Sequence, residues 1–261
     1  MIRHAPPPIL LVSLVLLSAC ADLRGTERST ASTSQTVASA HWFRGTPLSL
    51  RPVTQADLSV NTPLANGATF SLVTWYSAQL TNSTGDAILP DGHGGESTEL
   101  DIVANYEQNV RGVELSIGGI SYTYPEVRPS TKEAYVGGTL SGFGLRHALT
   151  AYYDIDQNDD YYLQYQASRS VVLDERWSAA MAVLLGYMSD GQAEFYFGRK
   201  RAGFSDLLLT GTLTYQFDQN TSFFLKGSGV TVPDDELADA LDQGGFDNQG
   251  LWFTLGAAWG L

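Results

Sequence analysis

Cysteine is almost missing from this sequence: Cys20 is the only one, so no disulfide can staple the chain internally. Basic residues are scarce as well, with 15 Lys+Arg against 28 Asp+Glu and a net charge of −13. That deficit excludes nucleic acid as a partner, because no basic surface is large enough to neutralise phosphates. Long apolar runs are also lacking. No segment holds eighteen consecutive apolar residues, so no transmembrane helix is expected. If the chain enters a membrane, it must do so as a closed β-barrel, since open sheet edges would leave backbone groups unpaired in hydrocarbon. No metal-spaced Cys/His set and no phosphate-binding glycine loop is present, so no metal or cofactor is expected.

What is present begins with an export signal. MIRHAPPPILLVSLVLLSACAD has Arg3 in a short basic region and an apolar stretch over Ile9–Leu17, too short to span a bilayer. Leu17-Ser18-Ala19-Cys20 has the form of a lipobox, which would make Cys20 the acylated first residue of the mature chain. Ala19-Cys20-Ala21 also satisfies an ordinary A-x-A cleavage site. The expected organisation is a signal peptide over 1–19, a flexible tether over 20–36, small and polar in composition, and one β-domain over 37–261.

From residue 37 the hydrophobic period is two almost throughout, with breaks at Gly, Asn, Asp and Pro. In 175–189, Trp177, Ala179, Met181, Val183, Leu185 and Tyr187 share one face. Trp177 and Tyr187 stand about 33 Å apart along a strand. With a tilt near 40° that becomes about 25 Å, the height of an outer-membrane barrel's apolar band between its aromatic girdles. Twelve strands are expected, at 35–44, 50–62, 68–80, 97–109, 112–124, 131–142, 146–156, 160–173, 176–189, 205–217, 220–230 and 250–261. Their connections sort by parity. Those at 109–112, 142–146, 173–176 and 217–220 are tight, whereas 81–96, 190–204 and 231–249 are long and fall on the opposite set. A transmembrane barrel sorts its loops this way, and a sandwich has no reason to.

The final stretch, LWFTLGAAWGL, reads as a closing strand paired with the first. Thr254, Gly256, Trp259 and Leu261 fit the polar-x-Gly-x-x-apolar-x-apolar signal read by the barrel-assembly machinery, with Leu261 where an aromatic is commoner. HWFRGTPLS (41–49), STELDIVANY (97–106), GGISYTYPE (118–126), TKEAYVGGTL (131–140) and LTAYYDIDQNDDYYLQYQASRS (149–170) then add up to a likeness. The chain resembles the TorF-type porins, a group of outer-membrane β-barrels. That resemblance implies a fold and an outer-membrane location, and little about chemistry.

With the apolar set facing lipid, Glu99, Asp101, Glu107, Glu114, Glu133, Asp154, Arg146 and Lys226 point into the lumen. Such a ring favours cations if the pore is open; alternatively, acids and bases pair and fill a narrow barrel. Glu99, Asp101, Glu107 and Glu114 are expected to crowd one sector of the wall, and Gly118-Gly119 to hold a bulge. DIDQNDD (154–160) starts like a calcium loop but has Asp159 in place of the glycine and Tyr165 in place of the final Glu, so a polar hairpin is expected. The acidic stretch 232–250 is expected to hold one amphipathic turn around Leu237 and Leu241. His93 lies in a Gly-rich loop, and His41 and His147 lie near strand ends. No Ser comes with an orienting partner in a G-x-S-x-G turn, which argues against an enzyme.

These features point to an all-β, antiparallel transmembrane barrel in the cell outer membrane, contacting lipid on its outside. Two functions follow: a porin-like channel for small hydrophilic solutes with weak cation preference, or a structural barrel. The alternatives are a lipid-anchored soluble periplasmic barrel binding an apolar ligand, lipocalin fashion, and a barrel lipid hydrolase.

Overall fold

The structure, a computed structural model, describes residues 28–82, 94–125 and 129–261. Cys20, the signal peptide and His93 lie outside the described residues. In chain order the elements are β1 (Thr30–Ala38), β2 (His41–Phe43), β3 (Thr46–Ser49), β4 (Val53–Pro63), β5 (Thr69–Gln79), β6 (Ser97–Val110) and β7 (Val113–Thr123). They continue as β8 (Thr131–Gly142), β9 (Leu145–Asp154), β10 (Tyr161–Val172), β11 (Trp177–Met188), α1 (Asp190–Phe197), β12 (Gly203–Gln216), β13 (Thr221–Thr231), α2 (Asp235–Gln243) and β14 (Gln249–Gly260). All strands except β2 and β3 form one closed antiparallel barrel, in which β1 pairs with both β4 and β14.

Side chains alternate across the wall as the period-two pattern requires. Leu100 and Ile102 on β6, Leu115 and Ile117 on β7, Met181 and Val183 on β11, and Leu251, Phe253 and Leu255 on β14 all stand exposed on the outside. Their neighbours Glu99, Asp101, Ser116, Thr254 and Gly256 point inward. A soluble barrel puts its apolar faces inside, so this arrangement is the inverse of a lipocalin and that of a transmembrane barrel.

The parity of connections holds around the whole barrel. One end carries 64–68, 111–112, 143–144, 173–176 and 217–220; the other carries 39–52, 80–96, 124–130, 155–160, 189–202 and 232–248. Arg111-Gly112 and Phe143-Gly144 turn with positive φ at both residues, the two-residue hairpin geometry that matches strand twist.

Three expectations need correction. Strand one begins at Thr30, so the tether cannot extend to residue 36, and its end is Ala38 rather than 44. Thr33 and Gln35 give its outer face no apolar alternation; pairing with β14 and β4 on both sides supplies the strand instead. Gly118-Gly119 holds no bulge, since β7 keeps register with both neighbours. Gly118 serves a close approach: a Cβ there would lie 2.5 Å from the Tyr135 hydroxyl. The register breaks fall at Ser77/Ala78 and Gly186/Tyr187. Finally, residues 39–49 do not extend the wall. They form the β2–β3 hairpin, which turns into the lumen.

Candidate functional site

Twelve strands about 4.8 Å apart and tilted about 40° enclose a backbone cylinder about 24 Å wide. Wall side chains of ordinary length leave roughly 10 Å of that width unfilled. At the long-loop end the hairpin fills it. Arg44 and Gly45 form its turn with φ of 49° and 83°. Gly45 packs so closely on β12 that a Cβ would sit 2.1 Å from the Ser205 carbonyl oxygen. Trp42 stacks on Trp252 of β14 at 6.4 Å, His41 meets Trp75 of β5 at 5.2 Å, and Leu48 packs with Tyr122 and Tyr124. The hairpin therefore reaches walls on opposite sides of the lumen.

Each of the twelve strands contributes a buried residue to this layer, among them Ala38, Val53, Gln79, Glu99, Tyr122, Glu133, Asp154, Tyr162, Met188, Asp206, Val230 and Trp252. Above it, α1 and α2 close the cap. Asp234 caps α2 by accepting the Glu236 and Leu237 amides, and Leu237, Ala238 and Leu241 turn inward onto Tyr196, Phe197 and Met188. The amphipathic turn expected at Leu237 and Leu241 is thus a nine-residue helix.

Arg44 is the centre of the layer. Its guanidinium donates from Nη1 to Glu133 Oε1 at 2.6 Å and from Nη2 to Glu133 Oε2 at 2.7 Å, a bidentate pair. Five rings surround it: Tyr162 at 4.2 Å, Phe43 and Tyr152 at 4.9 Å, Tyr196 at 5.7 Å and Tyr122 at 5.8 Å. Burial alone would push Arg44 down, but the Glu133 carboxylate beside it holds its pKa well above the ordinary value, so it stays cationic. The rest of the layer is acidic. Glu99, Asp101, Asp154 and Asp206 also face inward there, and His41 Nε2 stands 3.4 Å from Glu99 Oε2.

The sequence-selected lumen residues all face inward but separate into two levels rather than one crowded sector. Glu99, Asp101, Glu133 and Asp154 lie in the closed layer. Glu107, Glu114, Arg146 and Lys226 lie below it toward the short-turn end, where Ser141, Arg146, Ser168 and Ser170 line an open polar recess. Eight residues of β6 part Glu99 from Glu107, about 20 Å along the barrel axis. Arg146 pairs with Glu114, and Tyr135 donates to Asn105 at 2.9 Å. Lys226 faces Thr212 and Thr254 and forms no ion pair among the described residues. Asp154 is committed to its own turn: Oδ1 accepts the amides of Asp156 and Gln157 at 2.9 and 2.8 Å, and Oδ2 accepts the Thr131 hydroxyl at 2.6 Å. Its oxygens organise the hairpin loop instead of facing a common cation.

On the outside, Trp177 lies 5.0 Å from Tyr215 near the short turns, and Tyr187 lies 5.5 Å from Phe204 near the long loops. His147 faces outward with Nδ1 2.8 Å from the Tyr165 hydroxyl. On β14, Thr254 and Gly256 face the lumen and Trp259 faces out, while the Leu261 amide donates to the Ala31 carbonyl at 2.8 Å.

Sequence reasoning missed Arg44 and His41 as lumen residues. The available signal was the dipeptide Arg44-Gly45 between two short apolar runs, a pattern that fits a two-residue hairpin turn.

No family model and no curated protein matches the sequence. Among solved structures, an outer-membrane channel from Pseudomonas putida F1 superposes with a TM-score of 0.54 at 10% identity, over 92% of this chain and 98% of that one. The NanC porin superposes with a TM-score of 0.51 at 11% identity, over 88% of this chain and 98% of that one. The chain shares with them the outer-membrane type of closed antiparallel β-barrel.

Proposed function

We propose that the protein is a porin-like channel of the outer membrane, closed in this conformation by the inward-folded hairpin of residues 41–49. In this reading the short turns are periplasmic, the long loops are extracellular, and Cys20 carries the lipid anchor on the periplasmic side. Membership of the TorF-type porins fits the stretches that carry that likeness, and Thr254, Gly256, Trp259 and Leu261 serve as the assembly signal. We read no catalytic role.

One observation carries the proposal: inside an apolar outer belt, the inward faces of the lower barrel are polar, and among the described residues the layer above them is closed by non-covalent packing of the 41–49 hairpin and the α1–α2 cap. A barrel built solely as a scaffold gains little from a polar, recessed lower half, whereas a gated pore requires one. The plug is latched by a charged pair among acids, and its removal would leave an acidic constriction that admits cations more readily than anions.

The test is planar-bilayer recording of the purified protein. Wild type is expected to show long closures with brief cation-preferring openings, and Glu133→Gln to open more often because it weakens the Arg44 latch. If neither protein conducts at any potential, the structural-barrel reading replaces the channel.

A further inference from the structure

The cation at the centre of the closed layer belongs to the hairpin, as does the Phe43 ring beside it, but the other four rings and the carboxylate come from outside the hairpin. Tyr122, Tyr152, Tyr162 and Tyr196 come from β7, β9, β10 and α1, and Glu133 comes from β8. Contacts that exclude Arg44 fix these groups in place. The Tyr122 hydroxyl donates to Glu133 Oε2 at 3.2 Å, and the Gln192 amide donates to Glu133 Oε1 at 3.4 Å. The Tyr162 hydroxyl donates to both Asp206 oxygens, at 3.1 and 3.2 Å. The Tyr152 ring lies between those of Tyr135 and Tyr162, at 5.5 and 5.8 Å. Rings and carboxylate are therefore preorganised by the barrel wall and its cap.

We infer that this cage is a binding site for small guanidinium-type organic cations, and that Arg44 occupies it as a tethered stand-in while the hairpin is docked. The chemistry is selective. Ring faces attract any cation, but two parallel acceptor oxygens within reach of a planar fork favour guanidinium over an ammonium point charge. The choice of Arg also matters, because an apolar residue would fill the lumen without the cost of desolvating an ion pair. An arginine held by three wall rings, one cap ring and a carboxylate marks a site shaped for its head group. Access through the lumen rests on the channel proposal; binding itself does not.

Arg44→Ala empties the cage without touching the wall, and its thermal unfolding in detergent provides the assay. The variant should melt below wild type, and methylguanidinium near the millimolar effective concentration of a tethered group should restore at least half of the lost Tm. Methylammonium should need at least about tenfold more. Wild type should not respond, because Arg44 already holds the site, and Arg44→Ala with Glu133→Gln should lose the rescue. Equal effects of methylguanidinium and methylammonium would overturn the inference, as would no rescue or rescue that survives Glu133→Gln. If Arg44→Ala does not assemble alone, refolding with methylguanidinium decides: recovered barrel supports the site, and none overturns it. Rescue by a protein that never conducts would defeat the channel and keep the site, while conductance without rescue would do the reverse.

Discussion

Replacing Gly45 with Val attacks the plug at its tightest point. Val has its Cβ 2.1 Å from the Ser205 carbonyl oxygen, 3.1 Å from that carbonyl carbon and 3.3 Å from the Phe197 ring. A carbon–oxygen contact settles near 3.3 Å, so the turn must retreat by about 1.2 Å. That retreat stretches the 2.6 and 2.7 Å bonds from Arg44 to Glu133 beyond hydrogen-bonding range. Backbone strain at φ 83° adds about 1–2 kcal/mol for a residue with a Cβ, and losing charge-assisted hydrogen bonds adds about 1.5–3 kcal/mol. Together, about 2.5–5 kcal/mol moves the docked–undocked equilibrium by about two to four decades. Gly67→Val is the control, since Gly67 has φ 77° and nothing within 4 Å of a Cβ. In liposome swelling with a small neutral solute, Gly45→Val should pass the solute much faster than wild type, and Gly67→Val should not. Equal swelling by all three barrels, each shown to be folded by heat-modifiable gel migration, would refute the plug.

Arg in place of Met181, which is 63% exposed on the outer face, should destabilise assembly by about 2–4 kcal/mol; Arg at the adjacent inward Ala182 should be tolerated better in a urea-refolding series. Asp154→Ala orphans two turn amides and the Thr131 hydroxyl, so its unfolding midpoint should fall by the equivalent of about 1–3 kcal/mol. Glu99→Gln with Asp101→Asn removes two carboxylates from the constriction. Reversal potentials of the open state should then show weaker cation preference, with the wild-type preference itself fading at high salt.

Most of the wall was legible because lipid outside and water inside impose a period of two that survives on β4–β14. β6 with Leu100 and Ile102 facing out against Glu99 and Asp101 facing in is a clear case. β1 was legible only from residue 35 onward: Ala31 and Thr33 read as tether, and partners far away in sequence make them strand. The first arm of the hairpin was mistaken for wall because Trp42 and Phe43 are as apolar as lipid-facing residues; only the three-dimensional closure shows that they fill a lumen. α1 was hidden because its buried face mixes Gln192 with Ala193, Tyr196 and Phe197. Glu133 was identified as a lumen charge, but its partner Arg44 lies 89 residues away in sequence, beyond the reach of any spacing argument.

The central claim is that residues 41–49 lie docked inside the barrel. Single cysteines in a Cys20→Ala background test it most directly, with a water-soluble maleimide applied to the folded protein. Leu50→Cys, at a position 45% exposed, should label rapidly, and Thr46→Cys, at a position 2% exposed, should label at least about a hundredfold more slowly. Equal labelling rates at the two positions would mean that the hairpin is not docked and would contradict the account.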